Sequence, residues 1–415
     1  MLSFEVKKLF GKFNYKFKLK KSGITILTGP NGFGKTTILK CLEAFTDIDK
    51  IEYFDKLEFE EIQININSNS FILSKDGMNI TISYNKDKVV NFKYAIKFHS
   101  IETRKKDSMG FYTITETFNS KEEEVKAQKA HSGLQYILSE LKKNIEKIYY
   151  IKDDRLFNKQ YVKYYKRNNS RYLFYDYDDD NNKYYTIIDN MPDKLKSIID
   201  NSVNEYYNNS NKLDSTYPIR LFKNKEEITN KEFEDKKNDM NKKLAILYNY
   251  GLFSNKDEIN FKFKKKYAGA LKVYFDDFDK KYNIYKGLIE KLDIFTNIVN
   301  KKLYYKKIRI SKKDGIQIFS DNDNEIKLSD LSSGEKQEIV LFFEIIFSTD
   351  KSLMILIDEP ELSLHVAWQE DFINDLSNII KNKKINVIIA THSPFIIGEY
   401  KKNQIDLGEL HKNAK

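Results

Sequence analysis

The 415-residue sequence predicts an α/β fold, a mixed sheet with helices, into which a mainly helical middle region is inserted. Three observations predict it. Residues 1–30 alternate apolar and polar side chains and end in a glycine turn, which is typical of strands. Residues 192–303 follow a helical period for most of their length. Residues 307–398 then return to short apolar strands that run into turns and helices.

The elements follow in order along the chain. After the glycine turn, residues 35–46 are predicted to form a helix, and residues 57–98 form short strands separated by Asn, Ser and Gly. A helix is predicted at 121–147 and a strand at 148–151. Residues 155–190 are rich in Tyr and Asp and fit neither pattern.

This order predicts three regions. The first and last would form one head together, and the middle would contribute a single strand to it near residues 148–152. The predicted regions are an N-terminal lobe at 1–120, an inserted helical region at 121–303 and a C-terminal lobe at 304–415.

The charge is unevenly distributed. The chain carries a formal net charge of +10, and Phe261–Lys313 alone holds 16 Lys and Arg against five Asp and Glu, so +11. A basic segment is typical of contact with nucleic acid or an acidic partner, although a solvated helix face has the same composition.

Bulk features also bear on the compartment. Cys41 is the single cysteine, so no disulfide can form within the chain, which fits a reducing compartment. The N-terminus MLSFEVKKLFGKF lacks the apolar core of a signal peptide. The longest apolar runs fall far short of the ~20 residues that span a bilayer. We therefore expect a cytoplasmic protein without a membrane segment.

A glycine-rich segment, GPNGFGKTT, matches the pattern G-x-x-x-x-G-K-[ST] in full. Its glycines let backbone N–H groups point at phosphate oxygens, and the helix that follows favours an anion at its N-terminus. Lys35 is predicted to reach the β- and γ-phosphates of a nucleotide, and Thr36 to bind Mg²⁺. The bland alternative is a plain strand-to-helix turn. The predicted nucleotide-binding residues are Gly29, Pro30, Asn31, Gly32, Phe33, Gly34, Lys35, Thr36 and Thr37.

Two acids follow the apolar strand Leu353–Ile357. At the end of such a strand, Asp358 can hold Mg²⁺ through water, and Glu359 is placed to act as the general base on an attacking water. Two surface acids after a core strand would give the same pattern, but that alternative is weak beside a complete phosphate loop.

Two further segments complete the set. LSSGE precedes a helical pattern, so it predicts either a phosphate contact or a simple capping box; its predicted site residues are Ser332, Ser333, Gly334 and Glu335. His392 follows the strand Val387–Ile389 and is predicted to touch the γ-phosphate or to orient the water. The other histidines show no metal-ligand spacing.

These four segments, in this order, resemble the nucleotide-binding domains of the ABC-type ATPases. The resemblance implies an ABC-type P-loop ATPase head and two ATP molecules, with Mg²⁺, held in a head-to-tail dimer. It implies that Ser332 and Gly334 of one subunit contact the ATP of the other, and that His392 is the switch histidine. The family's glutamine stays unassigned, because Gln63 lies in a strand pattern.

The distance between the phosphate loop and LSSGE indicates which branch of the ABC-type ATPases the chain resembles. Lys35 and Ser332 lie nearly 300 residues apart, which resembles the SMC, Rad50 and RecF-like ATPases. DEPELSLH, ATHSPFII and YYIKDDRLF resemble the overcoming-lysogenisation-defect-related group, which includes the ATPase subunits of the PARIS and Septu anti-phage systems. The resemblance covers about residues 1–45, 149–157 and 305–408.

This branch implies partners as well. The chain would be the sensor and scaffold ATPase of a bacterial anti-phage system, a homo-oligomer of ATP-sandwich dimers that controls a separate effector, a TOPRIM or HNH nuclease, under a phage-encoded trigger. We find no Glu plus Asp-x-Asp set for a nuclease in the chain itself. The acids of YDYDDDNNK are instead interpreted as a solvated loop; they are Asp176, Asp178, Asp179 and Asp180.

Two alternatives stay open. One is a RecF- or Rad50-like DNA-repair ATPase that clamps DNA, and the other is a non-catalytic scaffold that uses ATP to fix its oligomer. The basic segment bears on the first, because lysines bind phosphates without reading sequence and contact with DNA or RNA is open. The predicted contacts with nucleic acid or a partner are Lys301, Lys302, Lys306 and Lys307.

Overall fold

The structure is a computed structural model. The chain divides into two compact units, residues 1–153 with 348–415 and residues 154–347. The described residues are 2–19, 23–46, 48–77, 79–93, 95–97, 118, 120–144, 147–153, 163–167, 170–174, 187–254, 260–348, 353–381 and 385–413. The four acids of YDYDDDNNK lie outside them.

The first unit contains a six-stranded antiparallel sheet. Its apolar and polar residues alternate, so that Phe4 and Val6 are buried while Lys7 faces outward. The strands pair in the order β2-β1-β4-β5-β6-β7. Their bounds are Leu2–Leu9 (β1), Phe13–Lys18 (β2), Glu61–Ile66 (β4), Asn69–Asp76 (β5), Asn79–Tyr84 (β6) and Lys88–Asn91 (β7).

A five-stranded parallel sheet lies in the same unit, in the order β16-β3-β15-β14-β8. All five residues of β3 are buried, which explains its uninterrupted apolar and β-branched sequence. Because the pairing is parallel, the carboxyl ends of these strands lie at one edge. The bounds are Ile24–Thr28 (β3), Lys147–Ile151 (β8), Leu353–Asp358 (β14), Asn386–Ala390 (β15) and Gln404–Asp406 (β16).

Helices pack with both sheets into one core. Ile38 and Leu42 of α1 share this core with Phe4 of the antiparallel sheet and Leu356 of the parallel sheet. Short helical turns occur at Tyr53–Lys56, Pro360–Ser363 and Pro394–Ile397. The longer helices of this unit are Lys35–Ala44 (α1), Lys121–Asn144 (α2), Val366–Ile380 (α7) and Leu407–Asn413 (α8).

The second unit is mainly helical, with the helices Ile187–Lys223 (α3), Asn230–Asn249 (α4), Ala268–Lys302 (α5) and Ser333–Phe347 (α6). Thr229 and Glu232 form a capping box at the start of α4. An antiparallel hairpin and a three-stranded antiparallel sheet complete the unit. Their strands are Lys163–Arg167 (β9), Ser170–Phe174 (β10), Lys306–Ser311 (β11), Gly315–Ser320 (β12) and Glu325–Ile326 (β13).

The α/β class with an inserted helical region is confirmed. The strand predicted to run through residue 98 is wrong after Asn91, because 92–93 and 95–97 are helical and bury Phe92 and Ala95 on one helical face. The predicted lobes stay a prediction; the compact units place 304–347 with the middle of the chain. Across the described residues, no helix is both long and apolar enough to cross a bilayer.

Candidate active site

The glycine-rich loop joins β3 to α1, as predicted. Gly29, Gly32 and Gly34 adopt φ angles of 145°, 80° and 87°, the left-handed region that glycine enters without strain. A side chain at Gly34 would also collide, because a Cβ there would lie 2.9 Å from Leu9 Cδ2. Helix α1 then begins at Lys35, so its first backbone N–H groups are free to bind an anion.

Lys35 is buried below this loop. Its Nζ donates to the carbonyl oxygen of Gly29 at 3.2 Å, contacts Nε2 of His392, and lies 3.6 Å from Oε1 of Glu359. Burial lowers the pKa of Lys35, and the negative charge of Glu359 acts in the opposite direction. The structure therefore brings the loop lysine, the predicted base and the predicted switch histidine into direct contact.

The second cluster surrounds Asp358, whose carboxylate is buried. Its Oδ1 accepts a hydrogen bond from Thr36 Oγ1 at 3.0 Å, and its Oδ2 accepts one from Tyr150 Oη at 2.8 Å. Burial raises the pKa of Asp358, while the two hydrogen bonds act to lower it. Tyr150 reaches this position because β8 pairs in parallel with β14.

Glu359 follows directly, with a φ of 41° that is unusual for a residue other than glycine. Its N–H donates to the carbonyl oxygen of Ala390 at 2.9 Å, and its Oε1 lies 3.3 Å from His392 Nε2. Burial, then the nearby Glu361, raises the pKa of Glu359 to about 8. Burial, then the charge of Lys35, lowers the pKa of His392, which favours a neutral ring.

Two side chains of the candidate site were not predicted. Tyr150 lies in YYIKDDRLF, which was identified as a strand and as a segment of the resemblance without a site role, and Glu361 is the second glutamate of DEPEL. Glu361 Oε1 accepts hydrogen bonds from Thr391 Oγ1 at 2.7 Å, His392 N at 2.5 Å and Ser393 N at 3.0 Å. Nothing in the sequence indicates these contacts, which join segments 30 residues apart.

A cavity of about 190 Å³ lies between these groups. Most of its lining was predicted from the sequence; Phe10 is the addition. The lining residues are Phe10, Asn31, Gly32, Gly34, Lys35, Thr36, Thr37, Glu359 and His392. Pro30 and Phe33 shape the loop instead, since the carbonyl oxygen of Pro30 accepts from Phe33 N at 3.3 Å.

A hydroxyl beside a buried carboxylate suits Mg²⁺, which prefers oxygen ligands and retains waters or phosphate oxygens in the remaining positions. Thr36 and Asp358 provide this pair. Within the described ranges, no cluster of three or more His, Cys, Asp or Glu side chains offers an all-protein metal site. Gln63 bonds to Asn65 and Ser70 within the antiparallel sheet, so the glutamine of the family stays unassigned.

The predicted signature lies in the second unit. Ser332 Oγ accepts from Glu335 N at 3.3 Å, and Glu335 Oε2 accepts from Ser332 N at 2.9 Å. This is the capping box that the sequence offered as the alternative interpretation, and it begins α6. Ser333 and Gly334 form the first turn, and a Cβ at Gly334 would meet nothing within 4 Å. The contact of these four residues with the nucleotide of a second subunit stays a prediction.

Two of the four lysines predicted to touch nucleic acid or a partner are held by acids of α6. Lys302 is buried, 4% exposed, with its Nζ 3.8 Å from Oε1 of buried Glu338. Lys306 Nζ lies 2.7 Å from Glu335 Oε1. The burial of Lys302 speaks against its contact with a phosphate, and the contact of the four lysines with nucleic acid or a partner stays a prediction.

The remaining two, Lys301 and Lys307, are exposed and stay predicted contacts. Elsewhere in the basic segment, some lysines pair with acids from outside the segment. Lys281 Nζ lies 2.8 Å from Asp214 Oδ1, and Lys272 Nζ lies 3.6 Å from Glu226 Oε2. Acids outside the segment therefore offset part of the local excess of +11.

The family model described as AAA ATPase domain matches residues 8–397. The chain is 25% identical over 423 residues to the Retron Vc95 probable ATPase of Vibrio cholerae serotype O1 biovar El Tor, covering 94% of this chain and 70% of the relative. It is 27% identical over 135 residues to the Retron Ec83 probable ATPase of Escherichia coli, covering 27% of this chain and 24% of the relative.

A third relative is Protein ea59 of Escherichia phage lambda, 25% identical over 158 residues, which is 35% of this chain and 29% of that protein. Among solved structures, the Smc head domain of Pyrococcus furiosus with an extended coiled coil, bound to the C-terminal domain of ScpA, aligns with 98% of this chain and 93% of that chain. Its TM-score is 0.36, at 13% identity. The SMC head domain of Thermotoga maritima aligns with 95% and 90%, at a TM-score of 0.33 and 12% identity.

Proposed function

The chain belongs to the AAA ATPase domain family, and its relatives include probable ATPases of retrons. We propose that it binds ATP with Mg²⁺ and hydrolyses it slowly between two copies of itself. One observation carries this proposal. At the carboxyl ends of three neighbouring parallel strands, Lys35, Thr36, Glu359 and His392 line one cavity. Asp358 accepts a hydrogen bond from Thr36 beside it.

The proposed mechanism assigns each side chain a task. Lys35 and the N–H groups of the loop bind the β- and γ-phosphates, and Thr36 and Asp358 hold Mg²⁺, which supplies charge stabilisation to the phosphates when bound. Glu359 accepts the proton of the attacking water. His392 beside it is held neutral by burial and by Lys35, so it can accept a hydrogen bond or orient the water.

The base must be ionised before it can accept a proton. Burial and Glu361 oppose ionisation of Glu359, whereas Lys35 at 3.6 Å favours it. This balance gives a physical reason for slow turnover: the carboxylate is a stronger base when it forms, but only a fraction of molecules carry it near neutral pH.

Glu359→Gln tests the mechanism, because it keeps the size of the side chain and removes the base. We expect the variant to bind ATP with Mg²⁺, to accumulate as a dimer in light scattering, and to release little phosphate. Glu370→Gln is the matched control, since Glu370 is an exposed glutamate of α7. If Glu359→Gln released phosphate as fast as wild type, Glu359 would not be the base. If the wild type released no phosphate, the proposed ATPase activity would be rejected.

The biological role is the second part of the proposal. We propose that the ATP-closed oligomer is the sensor and scaffold of an anti-phage system in the cytoplasm, and that it controls a separate TOPRIM or HNH nuclease under a phage-encoded trigger. The retron ATPases among its relatives support this choice. The test is co-purification with the product of a neighbouring gene, with Lys35→Ala as the control. Failure to recover a partner with the active wild type would contradict the scaffold role.

The two alternatives predict other outcomes. A DNA clamp predicts DNA-stimulated hydrolysis that is lost when Lys301 and Lys307 are reversed in charge. The burial of Lys302 and the ion pair of Lys306 weaken the support for it. A non-catalytic scaffold predicts that Glu359→Gln leaves the biological function intact.

A further inference from the structure

Glu361 lies in the turn between β14 and α7, two residues after the proposed base. We propose that Glu361 is a positioning residue that clamps the loop of the histidine to the loop of the base, so that the two groups hold one arrangement relative to each other. This inference rests on the proposed ATPase function and assigns a residue to the same site.

Three hydrogen bonds carry the inference. The donors are three consecutive residues, through Thr391 Oγ1, His392 N and Ser393 N, and all three bond to the single oxygen Oε1 of Glu361. Its other oxygen, Oε2, is buried.

A second tie runs between the same two loops. The N–H of Glu359 donates to the carbonyl oxygen of Ala390 at 2.9 Å, immediately before Thr391. The ring of His392 then lies 3.3 Å from the Glu359 carboxylate. A shift of the histidine loop relative to the base would therefore break the bonds to Glu361 together with this contact.

The far side of the histidine loop is held independently. Ser393 Oγ donates to Gln369 Oε1 at 2.5 Å, and Gln369 Nε2 donates to the carbonyl oxygen of Leu364 at 2.9 Å. Loss of Glu361 should therefore loosen residues 391–393 without unfolding the loop or α7. This makes the clamp testable by substitution.

The experiment compares Glu361→Ala, Glu361→Gln and the exposed control Glu370→Ala. Glu361→Gln retains a carbonyl oxygen that can accept the three bonds, whereas Glu361→Ala removes the acceptor. Three quantities are measured: kcat for ATP hydrolysis, the Kd of a non-hydrolysable ATP analogue with Mg²⁺, and hydrogen–deuterium exchange of peptides that span 387–396. Nucleotide-free protein is used for the exchange measurement.

For Glu361→Ala we expect faster exchange at His392 and Ser393, a kcat at least about tenfold lower, and a Kd within about threefold of wild type, since three hydrogen bonds to the histidine loop are lost. Glu370→Ala should stay within about threefold of wild type in all three quantities, and Glu361→Gln should retain the slow exchange of wild type at His392 and Ser393. Unchanged exchange in Glu361→Ala would overturn the clamp, whether or not the protein hydrolyses ATP.

Two further results would also overturn it. One is a Kd that rises in proportion to the loss of kcat, which indicates general damage to the site. The other is a Glu361→Gln variant that exchanges as fast as Glu361→Ala at His392 and Ser393, which makes charge rather than the three bonds the cause. A wild type without hydrolysis would instead reject the proposed function, because the exchange measurement tests the clamp on its own.

Discussion

Replacing Glu359 by glutamine should stabilise the first unit at alkaline pH. The carboxyl is buried beside a second acid, and its pKa is raised from 4.5 to about 8. A raised carboxyl pKa means that the folded protein disfavours the ionised form. Ionisation of Glu359 therefore lowers the free energy of unfolding. Glutamine has nearly the same shape and no charge, so it removes this cost.

The sign and the magnitude follow from the two pKa values. Below pH 4.5 the carboxyl is protonated in both the folded and the unfolded state, and the cost is absent. It grows between pH 4.5 and about 8 and is complete above about 8. At about 1.36 kcal/mol per pKa unit, the advantage of Glu359→Gln should increase by about 4 kcal/mol between about pH 5 and about pH 9.

The single tryptophan of the chain makes the assay specific. Trp368 lies in α7, in the same unit as Glu359, so its fluorescence during urea unfolding reports this unit. Wild type and Glu359→Gln are compared at both pH values without nucleotide, with Glu370→Gln as the exposed control. An advantage of equal size at the two pH values, or a variant less stable than wild type at the higher one, would refute the reasoning.

Three further predictions follow. Lys35→Ala should weaken binding of a fluorescent ATP analogue at least about a hundredfold, because charge-assisted phosphate contacts are lost; retained binding would reject the loop. Tyr150→Phe removes a hydrogen bond to Asp358 and should raise the Mg²⁺ concentration for half-maximal hydrolysis about tenfold. An unchanged Mg²⁺ concentration would contradict a role of Tyr150 in orienting Asp358. Lys302→Met should lower the free energy of unfolding by about 3–5 kcal/mol, because the buried Glu338 loses its cation. The exposed Lys301→Met should change it by less than about 0.5 kcal/mol. Equal losses of stability in unfolding followed by circular dichroism would contradict the burial of Lys302.

The sequence was informative wherever the chemistry is local. The loop from Gly29 to Thr37 is continuous, and its glycines, lysine and threonine predict strand, turn, helix and phosphate site together. Asp358 and Glu359 are adjacent and follow a buried strand, so their place at the edge of a sheet could be predicted as well.

Contacts between distant segments could not be predicted. Tyr150 and Asp358 lie 208 residues apart and meet because β8 pairs with β14, which no spacing reveals. Lys302 looked like its exposed neighbour Lys301, since composition cannot tell which face of a helix end is covered. The three bonds to Glu361 likewise depend on a turn conformation that a single sequence does not specify.

The order of strands in the parallel sheet has a consequence for synthesis. The strand before the phosphate loop, β3, pairs with β15 on one side and β16 on the other, and both come from residues 386–406. At about 5–20 residues per second, the ribosome needs roughly 20–70 s to pass from residue 28 to residue 390. The antiparallel sheet pairs among residues 2–91 and can form early. During that interval the apolar Ile24–Thr28 has two open edges, which makes the nascent chain a substrate for chaperones until translation is nearly finished.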